Sequence, residues 1–304
     1  MSYPHIIDNQ LNQSFSKYVN SHKQEIFNII HNTGAILFKN FNLISAMDFA
    51  VAIKALHPEL QDYIGGDSPR NKILDKVYTS TNYPPEETIS MHHEKSYSNN
   101  YPRIIYFFCE IPPQDGGETP IADARKIYKQ IKPKLIEKFQ TKKIKYIMNL
   151  HHGIGLGKSW KEVFESDSKQ EAEKQLKALK VKYQWKEGDS LRVEEVVNPI
   201  IEHPVTKEKI FFSQVDQWHP SNLGKEAWES MKEIMSEEDF YHYCTYGDDS
   251  TIDLEDIDHI RSVANAERVF FRWQKGDILM LDNVISMHGR SPFRGSRKIL
   301  VSMA

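Results

Sequence analysis

The chain has 304 residues, enough for one large domain or two ordinary ones. Its 39% hydrophobic and 27% charged residues describe a globular protein with a sizeable core, and 39 bases against 42 acids leave a net charge of -3. That balance offers no general field to nucleic acid or to an anionic membrane. Two cysteines exclude a disulfide framework, while thirteen histidines direct any metal site toward nitrogen and oxygen ligands. The apolar runs fall well short of the roughly 20 residues that a membrane span needs. The opening MSYPHIIDNQ lacks a basic region followed by an apolar stretch, so the expected address is cytoplasmic.

In chain order, Phe15, Val19, Ile26, Ile29 and Ile30 recur at helical spacing, and Gly34 follows as a C-terminal stop. A strand over Ala35 to Phe38 leads to a second helix, with Ser45 and Asp48 placed for capping and Phe49, Ile53 and Leu56 on its apolar face. Ile104 to Ile111 is a dense apolar run closed by Pro112-Pro113 and Gly116-Gly117, the pattern of a buried strand and turn. Helical stretches near 124 to 140 precede a Lys/Glu-rich segment, Ser168 to Lys180, which reads as a solvated helix face. Short strands then dominate: Leu191 to Val197, Ile210 to Val215, Val269 to Trp273, Ile278 to Leu281 and Lys298 to Met303. No repeat or linker divides the chain. The expectation is a single domain over 1–304, mainly β with peripheral helices, built on a β-sandwich or jelly roll and carrying a helical, charged insertion at about 124–190.

Met91-His92-His93-Glu94 carries the first chemical signal. In extended backbone, His92 and Glu94 point to one side and His93 to the other, so one strand offers two metal ligands. A third ligand is required, and the candidate is His288, where a strand ends in the turn-rich stretch Gly289 to Ser296. Two histidines and a carboxylate on one face of a metal leave three positions open, the arrangement of non-haem iron(II) oxygenases. Zinc hydrolases use similar ligands, but this chain has no H-E-x-x-H helix. Arg297 lies where the turn can return it toward His288, and a guanidinium can grip a co-substrate carboxylate through two hydrogen bonds.

Several blocks together are similar to the TauD/TfdA-like iron(II)/2-oxoglutarate-dependent dioxygenases: SPR at 68–70, STNYP at 80–84, HHE at 92–94, YPRIIYFFCEIPPQDGGETPIADAR at 101–125, TYGDDS at 245–250, and the terminal WQKGDILMLDN and HGRSPF. The chain most resembles the branch that includes the syringomycin aspartyl hydroxylase. The resemblance implies a double-stranded β-helix (jelly-roll) core, an iron(II) centre held by His92, Glu94 and His288, and 2-oxoglutarate and O2 as co-substrates. It also implies that Thr119, in GGET, binds the carboxylate near the iron while Arg297 clamps the other end. Arg70 and Arg290 are the candidates for substrate contact. Arg290 and Arg294 also compete with Arg297 for the carboxylate or form surface pairs. Asp249 stands where the family pattern has glycine.

The implied function is hydroxylation of an unactivated C–H bond of an amino acid, free or tethered to a carrier protein, in natural-product biosynthesis, with no nucleic-acid or membrane partner. The same oxidant could serve desaturation, epoxidation or cyclisation. Related iron halogenases replace the carboxylate ligand with a small residue, so Glu94 argues against that outcome. A jelly-roll binding protein without turnover is the alternative of a different class, and it has no use for Thr119 and Arg297.

Overall fold

The computed structural model describes residues 2–63, 65–66 and 68–304. Among these, seven strands form the main sheet, in the order His5–Asp8, Ala35–Lys39, Ile278–Asp282, Ile104–Ile111, Lys298–Met303, Val77–Thr79 and Lys72–Leu74. Ile104–Ile111 runs antiparallel to both of its neighbours. Its apolar run from Ile104 to Cys109 follows from burial on both faces. Tyr106 and Phe108, with Ile36, Phe38, Ile278, Met280 and Leu300, face the helices Phe15–Thr33 and Ala46–Leu56. Ile105, Phe107 and Cys109, with Leu279, Leu281, Val301 and Met303, make the opposite, inward face. Each large side chain so buried contributes about 1.5–3 kcal/mol, which outweighs the modest helix propensity of the covering segments.

The ends of those helices follow the sequence reading. Ser14 caps the first, and Gly34 closes it in the left-handed region at φ 81°. Any Cβ at Gly34 would stand 2.4 Å from the Ile285 side chain, so both conformation and space require glycine there. Ser45 and Asp48 form a reciprocal capping box on the second helix.

A second sheet of Ile89–His92, Ser286–Arg290 and Ile121–Asp123 faces the inner side of the first. The Phe107 and His288 rings approach to 5.2 Å across the gap. Met91 and Met287 point outward into a separate core, while their neighbours His92 and His288 point inward, as strand alternation requires. This is the mainly β architecture with peripheral helices expected of a jelly-roll core. Among the described residues, no helix is long and apolar enough to cross a membrane.

The stretch at 124–190 holds the helices Ala124–Gln130, Pro133–Lys142, Trp160–Phe164 and Lys169–Leu179, but also strands. Ile144–Leu150 and Lys182–Trp185 join Leu191–Val197 and His242–Tyr246 in a further sheet. Two other expectations need correction. Val269 to Trp273 makes a single bridge, Val269 to Ile121, in place of a strand. Ile210 to Val215 is strand only as far as Phe211, because the Ser213 hydroxyl then accepts from the Val215 N–H and turns the chain into the one-turn helix Val215–Trp218. Asp249, where the resemblance leads one to expect glycine, sits at φ 69°, a left-handed turn position that glycine adopts without a Cβ penalty, and its carboxylate pairs with Lys145.

One buried turn joins the two sheets. Asp282 accepts from the Val284 N–H at 3.0 Å through one oxygen, and from His203 Nε2 at 3.0 Å and His31 Nδ1 at 3.3 Å through the other. Burial raises the carboxyl pKa, but the His203 and His31 hydrogen bonds outweigh it and hold the group well below the usual carboxylate range. A group depressed in this way stabilises the fold above its unfolded pKa, about 3.9, and loses that contribution as pH falls toward its folded value. Asp282→Ala strands at least two buried donors at about 1–3 kcal/mol each, so a loss of roughly 3 kcal/mol is expected in denaturant unfolding at pH 7. The deficit against the parent protein should shrink below about pH 4. A deficit that stays constant into acid would show that the carboxylate is not the stabilising group.

Candidate metal centre

His92, Glu94 and His288 come together between the sheets. Each offers a ligand atom, and these atoms all lie within 4.8 Å of one another. His288 pairs directly with His92 across the two strands, and the imidazole centroids are 4.3 Å apart. His288 also pairs with Ile121 on its other side, which brings Thr119 within two residues of the same strand.

A hydrogen bond fixes which nitrogen His92 presents. His92 Nδ1 lies 2.9 Å from the Ser90 carbonyl, which can only accept, so Nδ1 carries the proton and Nε2 keeps its lone pair. His288 is driven well below its ordinary pKa by burial first and then by His92 and Arg70, so it is a neutral imidazole. Its Nε2 stands 3.9 Å from Glu94 Oε2, and its buried Nδ1 has no hydrogen-bond partner among the described residues. Two imidazoles and a carboxylate gathered so closely suit a bound divalent cation.

A second group, His31, His203 and Asp282, also satisfies ligand spacing. There, however, His203 Nδ1 accepts from the Thr206 N–H at 3.0 Å, so its proton is on Nε2 and is donated to Asp282. That imidazole has no lone pair left for a metal, and the group is a hydrogen-bonded turn.

His93 points away from the cluster. It is fully buried between the carbonyls of Asn283, 2.6 Å from Nδ1, and Phe211, 3.2 Å from Nε2, and burial drives its pKa down to about 4. Glu94 is placed by its backbone. Its N–H donates to Asn283 Oδ1 at 2.9 Å, while Asn283 Nδ2 donates to the Glu94 carbonyl at 3.0 Å and to that of Pro102 at 2.8 Å. Asn283 thus substitutes for a neighbouring strand where Glu94 has none.

Arg70 is buried against the Tyr63 ring, 4.1 Å from Cζ to the ring centre, and donates to Glu94 Oε2 at 2.8 Å. The structure therefore places this candidate substrate contact on the carboxylate of the cluster itself. Arg290 is also buried, but its guanidinium is spent on backbone: it donates to the carbonyls of Tyr83 at 2.9 Å, of Glu87 at 2.6 Å and of Pro84. Arg294 is exposed.

Thr119 and Arg297 do meet. Arg297 Nε donates to the Gly117 carbonyl at 3.0 Å, and Nη2 lies 3.5 Å from Thr119 Oγ1, which also accepts from Trp273 Nε1 at 3.1 Å. Burial, and then the nearby Arg290 charge, push the Arg297 pKa down to about 10, so the guanidinium is still charged at neutral pH. Among the described residues no carboxylate pairs with it. A half-buried cation without a counter-ion beside a hydroxyl group is a site for an anion.

Sequence reasoning did not single out Asn283, Trp273 or the partner of Arg70. The first two stand inside the quoted WQKGDILMLDN block, but nothing in their spacing announces a hydrogen bond to residues some 190 and 154 positions away.

The family model described as taurine catabolism dioxygenase TauD, TfdA family matches residues 7–303. The dapdiamide synthesis protein DdaC of Enterobacter agglomerans is 30% identical over 275 residues, covering 90% of this chain and 83% of that protein. A clavaminate synthase-like protein of Arabidopsis thaliana is 27% identical over 297 residues, covering 95% and 87%. Among solved structures, AAD-2 in complex with Mn(II) and N-oxalylglycine superposes with a TM-score of 0.57 at 11% identity, covering 99% of this chain and 93% of that one. PvcB from Pseudomonas aeruginosa gives 0.55 at 11% identity, covering 98% and 84%. At such identities the likeness shows a common fold.

Proposed function

This chain belongs to the taurine catabolism dioxygenase TauD, TfdA family, whose members use iron(II) and 2-oxoglutarate, and from that premise we propose that it hydroxylates an unactivated C–H bond of an amino acid, free or carried on a protein, in natural-product biosynthesis. One observation carries the proposal: two inward imidazoles and a carboxylate converge on one point, and Arg297, half-buried beside Thr119, has no acidic partner among the described residues. The match to a dapdiamide synthesis protein supports the biosynthetic setting.

In this proposal His92, Glu94 and His288 hold iron(II), and Arg297, with the Thr119 hydroxyl 3.5 Å from it, binds one carboxylate of 2-oxoglutarate. When bound, these groups supply the oxidising power, with O2 consumed and 2-oxoglutarate converted to succinate and carbon dioxide. The protein's own residues orient and exclude. The His92 proton on Nδ1 keeps Nε2 available, Asn283 fixes the Glu94 backbone, and Phe107 closes the cavity wall beside His288. Arg70 holds one oxygen of Glu94, and Arg290 secures the 83–87 segment, so neither is assigned to substrate in this scheme. Aim matters because positional errors of about 1 Å can cost roughly a hundredfold in rate.

The test supplies iron(II), 2-oxoglutarate and 18O-labelled O2 with a panel of free amino acids and carrier-tethered aminoacyl groups. One class should stimulate formation of labelled succinate and give a product that gains one oxygen atom. A product that instead loses two hydrogens would move the outcome to desaturation or ring closure. Chlorinated product in chloride buffer would overturn the role given to Glu94, and no 2-oxoglutarate turnover with any substrate would sink the proposal.

A further inference from the structure

We propose that Gln214 and Gln217 are positioning residues that orient His92 from outside the metal centre, an inference that rests on the assignment of His92 as a ligand. Ser90 and Ser96 bracket the segment that carries His92 and Glu94. The Ser90 carbonyl accepts from His92 Nδ1 at 2.9 Å and also from Gln217 Nε2 at 3.2 Å, so both of its lone pairs are used. Gln217 Oε1 accepts from Gln214 Nε2 at 2.8 Å, and Gln214 Oε1 accepts from the Ser96 N–H at 3.0 Å. The chain of bonds has one direction. A carbonyl can only accept and a backbone N–H can only donate, so the two ends fix the orientation of both amides between them.

The two glutamines are rigidly mounted. They stand three positions apart at the one-turn helix Val215–Trp218, where the Gln217 N–H returns to the Gln214 carbonyl at 2.9 Å. The Gln214 N–H donates to the buried Tyr146 hydroxyl at 3.0 Å, which also meets Ser213 Oγ at 2.9 Å. Tyr146 belongs to Ile144–Leu150, a strand of the 124–190 stretch. That added sheet thereby supports the geometry of a ligand to which it contributes no atom. Partners that hold a ligating histidine in this way fix its tautomer and ring orientation, and their loss typically costs about ten- to a hundredfold in metal affinity.

The experiment is Co(II) titration of the full chain, read by visible absorption, together with proton NMR of the hyperfine-shifted exchangeable imidazole N–H signals, the His92 signal being assigned by its loss in His92→Ala. Gln217→Met keeps side-chain length but removes the donor to Ser90. Co(II) affinity should fall, by no more than the roughly ten- to hundredfold that loss of a direct partner costs, and the His92 N–H signal should shift and exchange faster with water. Gln214→Glu is the more discriminating variant. It keeps an acceptor for Ser96 but faces Gln217 with oxygen, so the Gln217 amide should turn over and present oxygen to the Ser90 carbonyl. The His92 signal should then move although the substituted residue does not touch Ser90 or His92. A merely structural role would lower the melting temperature and leave that signal in place. Unchanged affinity and signal in both variants, with His92→Ala deficient, would overturn this inference alone. Absence of Co(II) binding by the unaltered protein would overturn the ligand assignment and this inference with it.

Discussion

Replacing either His92 or His288 by alanine is expected to lower iron(II) affinity by well over a hundredfold, because even the outer partners of a ligating histidine are worth about ten- to a hundredfold. Both rings face the same point as Glu94, and His288 is a buried neutral imidazole whose Nε2 lies 3.9 Å from that carboxylate. Removing one leaves only two protein ligands, so the weak visible band of iron(II) chelated by 2-oxoglutarate under anaerobic conditions should vanish. His93→Ala is the control on the same segment. Its ring lies between the Asn283 and Phe211 carbonyls, so its loss should lower stability by about 1–3 kcal/mol and leave the band largely intact. If the histidine variants at 92 and 288 keep both band and affinity, the metal lies elsewhere.

The fold was legible where one physical cause dominated. Continuous apolar sequence marked Ile104–Ile111 as a strand with both faces covered, and the Ser45 and Asp48 pair marked a helix start without help from the rest of the chain. Ile144–Leu150 was not recognised because its lysine and asparagine interrupt a short run, and its strand character comes from neighbours on both sides, Leu191–Val197 and His242–Tyr246. Val269 to Trp273 has strand composition, but only Val269 finds a partner.

The candidate site divides in the same way. Alternation in extended backbone predicts His92 and Glu94 on one side and His93 on the other, and the side chains do divide that way, although the strand itself ends at His92 and Glu94 lies in the turn that follows. What holds these residues is non-local. Asn283 reaches the Glu94 backbone, Gln217 reaches Ser90, and Arg70 reaches Glu94, each through chain folding that spacing does not encode. The neighbouring arginines show the same limit: the resemblance favours Arg297 as the clamp and leaves Arg290 as a competitor, and only the partners each finds in the fold show that Arg290 is engaged elsewhere.

That separation makes Arg297 the second large effect. Arg297 is a half-buried charge with bonds to Gly117 and Thr119 and no acidic partner among the described residues, whereas Arg290 is occupied by three carbonyls of the 83–87 segment. If the distal carboxylate of 2-oxoglutarate supplies the missing counter-ion, Arg297→Ala leaves that carboxylate desolvated and unpaired, at about 2–5 kcal/mol by the measure of truncated buried charge pairs. At 1.4 kcal/mol per decade, this is a loss of roughly thirty- to several-thousand-fold in 2-oxoglutarate affinity. Arg297→Lys should stay impaired, since an ammonium can neither bridge both carboxylate oxygens nor keep the planar bond to the Gly117 carbonyl. Arg290→Ala should instead lower stability by loosening the 83–87 segment. Its affinity for 2-oxoglutarate should fall little, because the lost positive potential is partly offset by relief of the repulsion that pushes the Arg297 pKa down. Titration of 2-oxoglutarate into the parent and the three variants, with folding followed by thermal melting, decides between them. Normal binding by a folded Arg297→Ala, with binding lost in Arg290→Ala, would transfer the clamp to Arg290 and require the 83–87 segment to release that guanidinium when the co-substrate arrives.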